Sequence, residues 1–467
     1  MRMQLRHLTL MFAALLVALC FVDHSLLAAD LPDLGTRKQG VDWPVFLGPT
    51  GDSKSSETGI LTKWTTESPR IAWQMPLATS YAMPAISRGR LFIFMRVGDS
   101  ARLVCMKSET GESLWQFEYP SDYADLYGYD NGPRCAPIVD GDRVYTFGAE
   151  GMLHCVNALD GKLVWKVDTA KQFGVIQNFF GVGSTPVIEG DLLIANIGGS
   201  PAESRNIPPG QLDLVKGNSS GVVAFDKLTG QVKYQFSDEL ASYASPTLAT
   251  IADRRWCFIF ARGGLLGFEP SSGKLDFHFP WRDTSLESVN ASNPVVVGDH
   301  VLVSETYGPG AAMLKVRPGG YDVVWTDEQS RRNKSLQTHW NTPVHHDGYV
   351  YGSSGRHTQN AELRCVEWKT GKVMWSRPDL SRASLLYADG HFICLTEYGD
   401  LILFKATPES FQPVAHLVLQ SKPTADGEPR PMLRYPAWAA PILSHGLLYV
   451  RGTDRLVCLE LIEEGKQ

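Results

Sequence analysis

The segment from Ala136 to Trp165 is the feature that most constrains the fold, because versions of it recur along the chain. It holds four short runs of Val, Ile, Leu and aromatic residues, separated by turn signals at Asp140-Gly141, Gly148–Gly151 and Asp160-Gly161. Glycine adopts positive φ without a side-chain clash, so Asp-Gly between apolar runs favours a tight hairpin. The segment therefore predicts a four-stranded antiparallel meander.

Seven further repeats of this meander can be aligned on their first residue, a proline in every repeat except the seventh, where a serine replaces it. The starting residues lie 53, 49, 60, 48, 49, 41 and 57 residues apart and are Pro84, Pro137, Pro186, Pro246, Pro294, Pro343, Ser384 and Pro441. A period near fifty with four strands per repeat is typical of a β-propeller blade. The seventh repeat is the most degraded, so the count falls to seven blades if that repeat is a loop.

The two ends of the chain complement each other. The eighth repeat stops after the strand around Cys458, whereas a lone strand around Trp73 has no repeat in front of it. Pairing these strands removes the open edges of the array. The sequence thus predicts an all-β, eight-bladed β-propeller of four-stranded antiparallel blades, closed by an N-terminal strand that completes the last blade.

The N-terminal residues predict export. Arg2 and Arg6 precede the apolar run Leu8–Val22, and small residues follow at Ala28 and Ala29. This pattern is typical of a cleaved signal peptide. A retained anchor helix is the alternative, although the run is short for a membrane span. Lipidation of Cys20 is disfavoured because a bulky leucine precedes it.

We therefore divide the chain into a signal peptide (1–29), an N-terminal arm (30–68), a single propeller domain (69–462) and a tail (463–467). We expect a periplasmic or secreted monomer with no integral membrane span after signal cleavage. With 50 acidic and 44 basic residues and no long run of either sign, the chain has no feature that favours nucleic acid.

Seven cysteines remain after the signal peptide, and none forms an adjacent or Cys-x-x-Cys pair. Four occupy one equivalent strand position in different repeats: Cys105, Cys155, Cys365 and Cys458. These features predict buried free thiols rather than disulfides or a zinc site.

An aromatic residue stands four positions after the turn glycine in five repeats, at Trp115, Trp165, Tyr234, Phe277 and Trp375. A large flat side chain at a constant place on each outer strand predicts packing between neighbouring blades.

The pattern Ala224-x-Asp226-x-x-Thr229-Gly230-x-x-x-Tyr234 resembles the tryptophan-docking motif of the pyrroloquinoline-quinone-like (PQQ-like) β-propeller superfamily. Its core returns at Thr110-Gly111 and Thr370-Gly371, and Trp43-Pro44 with Gly48-Pro49 resembles the N-terminal arm of secreted bacterial members. The resemblance covers residues 42–460. The superfamily that this resemblance implies contains quinone-dependent alcohol and sugar dehydrogenases, an outer-membrane assembly lipoprotein and secreted propellers of unassigned role. The resemblance is therefore far more specific for fold than for function.

Polar and aromatic residues precede the starting residues of the repeats, where the innermost strands meet the central channel. Tyr81, Tyr129, Phe179 and Tyr435 belong to this set. A ring of hydrogen-bonding and stacking groups around a channel mouth predicts a ligand site, with a water-filled polar channel as the alternative. The predicted ligand-binding residues are Tyr127, Asn131, Arg134, Asn178, Phe180, Tyr243, Asn290, Asn293, His339, Trp340, Asn341, Arg382 and Trp438.

For a quinone enzyme the resemblance implies a carboxylate base, a calcium bound by carboxylate and amide oxygens, an aromatic beneath the quinone and often a pair of adjacent cysteines. Asn178, Asn290 and Asn293 could supply amide oxygens, Trp340 could stack, and Arg134 or Arg382 could lie near a quinone carboxylate. The nearest acids, Asp125, Asp130 and Glu305, do not stand at the blade-start positions, and adjacent cysteines are absent.

We therefore expect a non-catalytic binding scaffold of the periplasm or cell envelope, with no catalytic residue, metal or cofactor and an envelope protein or small molecule as partner. The first alternative is a PQQ-dependent oxidoreductase that uses PQQ with calcium at the channel mouth, and the second is an outer-membrane assembly factor. The Gly198–Gly221 insert of repeat three and the tyrosine-rich approach to repeat two are further candidates for binding.

Overall fold

Eight four-stranded antiparallel sheets form the blades of the protein in a computed structural model that describes residues 31–65, 67–330, 332–421 and 427–465. The eight-bladed, all-β prediction is confirmed, and the degraded seventh repeat forms a complete sheet. The predicted signal peptide, including Cys20, lies outside the described residues.

Each blade is a simple meander from the channel outwards. The strands of blade one are Ala85–Ser87, Arg90–Val97, Ser100–Lys107 and Ser113–Pro120, and those of blade two are Ile138–Asp140, Arg143–Phe147, Met152–Asn157 and Leu163–Asp168. The strands of blade three are Val187–Glu189, Leu192–Asn196, Val222–Asp226 and Val232–Phe236, and those of blade four are Thr247–Ile251, Arg254–Phe260, Gly264–Glu269 and Lys274–Pro280. The strands of blade five are Val295–Val297, His300–Glu305, Gly310–Arg317 and Gly320–Thr326, and those of blade six are Val344–His346, Tyr349–Ser354, Glu362–Glu367 and Val373–Arg377. The strands of blade seven are Ala383–Ala388, His391–Thr396, Asp400–Lys405 and Pro413–Val418, and those of blade eight are Ile442–Ser444, Leu447–Arg451, Arg455–Glu460 and Arg70–Pro76.

Helical structure within the described residues is confined to short turns. These are the α-helix Thr169–Phe173 and the 3-10 helices Ala202–Asn206, Leu212–Leu214 and Thr358–Asn360. None of the described helices has the length and hydropathy needed to cross a membrane.

The first strand closes the ring. Arg70–Pro76 pairs antiparallel with Arg455–Glu460, and Trp73 lies opposite Cys458 in this ladder. The last blade is therefore completed by the N-terminal part of the propeller, as the sequence predicted.

At five of the eight blade junctions an aromatic side chain of the outer strand docks on the turn glycine of the following blade; these side chains are Trp73, Trp115, Trp165, Tyr234 and Trp325. The Trp115 indole lies against Gly161, where an added Cβ would be 2.5 Å from the ring. Its Nε1 donates a hydrogen bond to the carbonyl of Ala158 at 3.1 Å. Trp73 repeats this contact across the closure, since its indole lies against Gly111 of blade one and its Nε1 donates to the carbonyl of Ser108 at 2.8 Å. The same contact thus holds neighbouring blades and closes the ring.

The equivalent cysteines lie opposite these tryptophans on the adjacent strand. The cross-strand pairs are Cys105 with Trp115, Cys155 with Trp165, Cys365 with Trp375 and Cys458 with Trp73. A small side chain facing a large one lets the indole lie flat on the sheet. All seven cysteines of the described residues are free and buried, which confirms the free-thiol prediction.

The N-terminal arm runs across the innermost strands. Trp43, which is fully buried, exchanges backbone hydrogen bonds of 2.9 and 2.8 Å with Ile86 of blade one. Val139 of blade two donates to the carbonyl of Pro44 at 2.8 Å, and Ser55 donates to the carbonyl of Tyr387 of blade seven at 2.9 Å. The arm thereby satisfies backbone groups that the channel would leave without partners.

Two glycines of blade two provide a test of the docking contact. Gly161 and Gly141 both have positive φ, +71° and +56°, but a Cβ at Gly141 would meet nothing within 4 Å. Both Gly→Ala substitutions introduce about 1–2 kcal/mol of backbone strain. Gly161→Ala adds overlap with Trp115, which we expect to cost a further ~1–3 kcal/mol.

Thermal unfolding of the two variants measures this difference. Gly161→Ala should melt well below Gly141→Ala. Equal melting temperatures would show that the contact between Trp115 and Gly161 does not hold the blades together.

Candidate functional site

A cavity of about 720 Å³ lies at the mouth of the central channel. Its walls combine the loops that precede the innermost strands with hairpins that join second and third strands. Both kinds of loop reach the same face because strands alternate in direction within each meander. Phe46 and Leu47 of the N-terminal arm also line the cavity.

Nine of the thirteen predicted ligand-binding residues line this cavity. They are Tyr127, Arg134, Phe180, Tyr243, His339, Trp340, Asn341, Arg382 and Trp438. The cavity is also lined by four other members of the polar and aromatic set that precedes the starting residues of the repeats: Tyr81, Tyr129, Phe179 and Tyr435. The structure therefore brings together the aromatic and cationic part of the predicted ring, whereas a binding role for these residues stays a prediction.

The other four predicted residues, all asparagines, lie outside the cavity wall. Asn131 accepts a hydrogen bond from the backbone N–H of Asp125 at 2.9 Å, and Asn293 accepts one from that of Ser245 at 2.8 Å. Asn290 is fully buried and donates to the carbonyl of Ala261 at 2.8 Å. They do not line this cavity, because backbone groups of the loops require partners and the short amide side chains supply them. A binding role for them stays a prediction.

Asn178 is the fourth of these residues. It lines a different cavity, between blades two and three, and its Nδ2 donates to the carbonyl of Ala241 at 3.3 Å.

A buried ion pair organises one wall of the channel cavity. Arg382 donates to Glu397 through Nε, at 3.1 Å from Oε2, and through Nη2, at 2.7 Å from Oε2. Glu397 is fully buried and also accepts hydrogen bonds from Thr358 Oγ1 at 2.9 Å and Trp438 Nε1 at 3.2 Å. The carboxylate is thus neutralised and saturated by donors from this chain.

Two tryptophans cover the guanidinium of Arg382. Its Cζ lies 4.4 Å from the ring centroid of Trp340 and 5.5 Å from that of Trp438. The two indoles are 4.7 Å apart and tilted by 40°. Cation–π attraction and the ion pair with Glu397 therefore fix both indoles in the cavity wall.

His339 connects this wall to Tyr307. Its Nδ1 lies 3.3 Å from Nη1 of Arg382, and its Nε2 lies 3.4 Å from the Tyr307 hydroxyl. A guanidinium can only donate, so Nδ1 accepts and the imidazole proton belongs on Nε2. Desolvation, followed by the charges of Arg382 and Arg356, lowers the pKa of His339 to about 3. His339 is therefore a neutral hydrogen-bonding group at ordinary pH.

The opposite wall is built around Arg134. Its guanidinium pairs with Asp125 and donates to the carbonyls of Gly132 and Asp130, each at 2.8 Å. It also lies 5.8 Å from the ring centroid of Tyr81. Like Arg382, Arg134 is held by partners from its own chain.

Aromatic residues form the rim beside Arg134. The Phe180 ring lies 5.5 Å from that of Tyr243 and 5.8 Å from that of Tyr127. Tyr127 and Tyr129 are 54% and 62% exposed, so they border the opening of the cavity.

The three carboxylates that the sequence placed nearest to the ring do not line the cavity. Asp125 pairs with Arg134, and Asp130 accepts from the backbone N–H of Gly132 at 2.6 Å. Glu305 is buried and accepts from Ser288 Oγ and from the backbone N–H groups of Tyr307 and Gly308, each at 2.9 Å. Desolvation by burial raises the pKa of Asp130 and of Glu305.

The prediction from residues that precede the starting residue of each repeat did not include Arg356, Tyr307 and Glu287, which also line the cavity. Arg356 follows the second strand of blade six, and its guanidinium lies 4.3 Å from the ring centroid of Tyr307. Within the part of the chain that the structure describes, no carboxylate pairs with Arg356. The sequence signal was the polar run Gly355-Arg356-His357 directly after an apolar strand.

The cavity fits the planar part of a quinone better than it fits calcium. The indoles of Trp340 and Trp438 offer a stacking surface, and Arg356 offers a positive charge. Calcium prefers six to eight oxygen ligands. Glu397 and Asp125 are already ion-paired, Asn290 and Asn293 lie outside the wall, and the described residues contain no cluster of three His, Cys, Asp or Glu suited to a metal. The described wall of the cavity therefore does not fit a calcium ion.

Substitution of Glu397 tests the buried ion pair. Glu397→Gln leaves Arg382 without its counter-charge in a buried wall, and we expect a loss of ~3–5 kcal/mol in the free energy of unfolding. The matched control is Glu118→Gln, which breaks a pair with Arg102 in which Glu118 is 45% exposed. This control should change stability by about 1 kcal/mol or less. Similar melting temperatures for the two variants would contradict the organising role of Glu397.

The pKa of His339 predicts a dependence of stability on pH. The imidazole titrates at about 3 in the folded protein, below its ordinary value of 6.5. Below pH 6.5 the unfolded chain takes up this proton while the folded chain does not, so stability is complete above pH 6.5 and is lost as the pH falls towards 3. The loss is up to ~1.4 kcal/mol per pH unit.

Melting temperatures between pH 7 and pH 4 check this dependence. His339→Gln should flatten the acid side of the profile, whereas His416→Gln, at a side chain that is 59% exposed, should not. Parallel profiles for the wild type and His339→Gln would show that this imidazole does not titrate as described.

The comparisons with known proteins agree with this architecture. A family model of PQQ-like repeats, described as "Outer membrane protein assembly factor BamB", matches residues 57–200 and 128–377, which together span 57–377 and more than half of the chain. The resemblance that the docking motif indicated is thereby confirmed.

Curated relatives are quinone alcohol dehydrogenase subunits. The chain is 24% identical over 203 residues to the one from Gluconacetobacter polyoxogenes, a match that covers 42% of this chain and 25% of the relative. It is 27% identical over 175 residues to the one from Gluconobacter oxydans (strain 621H), with 36% and 21% covered. The matches thus span about a quarter of the relatives' length.

Solved structures share the fold. A quinohemoprotein alcohol dehydrogenase from Comamonas testosteroni superposes with a TM-score of 0.61 at 12% identity, covering 91% of this chain and 81% of that one. BamB from Moraxella catarrhalis superposes with a TM-score of 0.55 at 14% identity, covering 84% and 97%. From its repeats, its eight closed blades and the matching family model, the chain belongs to the PQQ-like repeat β-propeller family.

Proposed function

We propose that this chain is a non-catalytic binding propeller of the cell envelope that holds a planar, carboxylate-bearing small molecule at the channel mouth. The observation that carries the proposal is the position of Arg356. Its charge has no carboxylate partner among the described residues and lies in a cavity whose other two arginines, Arg134 and Arg382, are ion-paired.

The shape and lining of the cavity support such a ligand. A volume of about 720 Å³ is in the range of small-molecule sites, which are mostly apolar with a few placed polar groups. The indoles of Trp340 and Trp438 offer aromatic faces on which a planar ring can stack. A carboxylate on that ring would receive charge-assisted hydrogen bonds from Arg356.

The protonation states support a binding role rather than catalysis. A general base needs a free lone pair and a pKa near the working pH. His339 has a pKa of about 3, and its Nδ1 faces Arg382. Glu397 is buried behind the wall and saturated by donors, and Glu287, an exposed residue, is the one carboxylate among the described residues that line the cavity.

The envelope location rests on two supports. The N-terminal residues predict a signal peptide. The description of the matching family names an outer membrane protein assembly factor.

A quinone-dependent oxidoreductase is the second candidate. It is favoured by the matched relatives, which are quinone alcohol dehydrogenase subunits. Such an enzyme would require calcium ligands or a general base at the cavity. Among the described residues that line the cavity, Glu287 is the one carboxylate that could serve in either role.

Ligand binding by an Arg356 variant tests the proposal. The probes are anthraquinone-2-carboxylate and pyrroloquinoline quinone, titrated against the mature chain with and without calcium while tryptophan fluorescence is recorded. We expect both probes to quench without calcium. Arg356→Gln should weaken binding about tenfold or more, because a charged hydrogen bond is lost.

Arg317→Gln is the matched control. Arg317 is 57% exposed and pairs with Asp322 away from the cavity, so its loss should leave both affinities unchanged. Failure of the wild type to bind either probe would overturn the proposed ligand class. Calcium-dependent binding of pyrroloquinoline quinone with reduction of an electron-accepting dye in the presence of an alcohol would overturn the non-catalytic role in favour of the second candidate.

A further inference from the structure

A second cavity, of about 400 Å³, lies between blades two and three. It shares no lining residue with the channel cavity, so an inference about it does not rest on the function proposed above. One side is formed by the Gly198–Gly221 insert, which contributes Leu212 and Val215. The other side includes Glu150 of blade two.

Unpartnered polar groups line this cavity. Asn196, the last residue of the second strand of blade three, is 2% exposed, and neither Nδ2 nor Oδ1 has a hydrogen-bond partner. Ser200 is 3% exposed, and its Oγ is also without a partner. Buried polar groups are normally hydrogen-bonded, because their desolvation otherwise destabilises the fold. A polar occupant of the cavity would satisfy both side chains.

The charges around the cavity exclude an anionic occupant. No Lys, Arg or His is part of its described wall, whereas Glu150 and the exposed Asp122 are. Glu150 is held in place by the Tyr119 hydroxyl at 2.7 Å and by Ser121 Oγ at 2.9 Å. Each of its oxygens keeps a further lone pair that can accept a hydroxyl proton.

The remaining groups match a neutral polyhydroxylated molecule. The amide of Asn196 can donate and accept at once, which suits two adjacent hydroxyl groups. The Ser200 hydroxyl can do the same at a single position. Leu212, Val215 and Leu240 offer apolar contacts for the C–H faces of such a molecule.

The insert that covers the cavity is anchored on the next blade. Asp213 pairs with Arg262 at 2.8 Å and with Arg282 at 2.9 Å. Asn218 donates to the carbonyl of Ser200 at 2.9 Å. These contacts hold Leu212, Val215 and Ser200 in place, so the cavity is formed before an occupant arrives.

We propose that this second cavity binds a small neutral polyol of monosaccharide size, with Asn196 and Ser200 as hydrogen-bonding contacts and Glu150 as a hydroxyl acceptor.

Saturation-transfer NMR tests the proposal with D-glucose, D-galactose and glycerol as neutral probes, choline as a cationic probe and acetate as an anionic probe. We expect signal from at least one sugar and none from choline or acetate. Asn196→Leu should weaken sugar binding about tenfold or more through the loss of its hydrogen bonds. Asn333→Leu, at an exposed asparagine outside both cavities, is the matched control and should bind like the wild type.

Thermal unfolding separates loss of binding from loss of fold. Asn196→Leu removes an unpartnered buried amide, so its melting temperature should equal or exceed that of the wild type. Absence of sugar signal with the wild type would show that the cavity holds ordered water only and would overturn the proposal. Equal sugar binding by Asn196→Leu, or binding of choline alone, would overturn it as well.

Discussion

The docking of an aromatic side chain on the turn glycine of the next blade is the contact on which the ring depends. Trp115 rests on Gly161, and Trp73 rests on Gly111 across the closure. The contact joins a large flat ring to a glycine without a side chain, and at Trp115 and Trp73 a small residue, Cys105 or Cys458, lies opposite the ring on the adjacent strand. This packing occurs at five of the eight blade junctions and acts together with hydrogen bonds between neighbouring blades to hold the sheets as one body.

The channel cavity depends in turn on a buried charge network. Glu397 neutralises Arg382, which packs against Trp340 and Trp438. Desolvation, followed by the charge of Arg382, lowers the pKa of His339. Burying such a pair seldom stabilises a fold more than apolar packing would. Its evident product is a rigid aromatic wall, beside which Arg356 has no carboxylate partner among the described residues. The proposed binding role rests on this arrangement of charges and aromatic rings.

The aromatic residues predicted for the channel mouth line the cavity, whereas four of the five predicted asparagines do not. Trp340, Trp438 and Phe180 lie in the cavity wall because residues just before an innermost strand face the channel mouth. Asn290 and Asn293 occupy similar positions but turn to buried backbone groups. Position along the chain cannot separate the two outcomes, because the backbone groups that need partners are defined only when the loops pack. Arg356 was missed because it lies on a hairpin of blade six, and the prediction considered only residues that precede the starting residue of each repeat.

The sequence by itself determined the four-stranded repeat, its strand order and the closure by the strand around Trp73, and the complete sheet formed by the degraded seventh repeat then set the count at eight. These features follow from local turn chemistry and a repeated pattern that any copy of the repeat carries. Only the tertiary structure decided which charges are paired, that the arm places Phe46 and Leu47 in the channel, and that the Gly198–Gly221 insert covers a second cavity around Asn196. Such properties depend on contacts between residues far apart in the chain, and a periodic pattern holds no information about those partners.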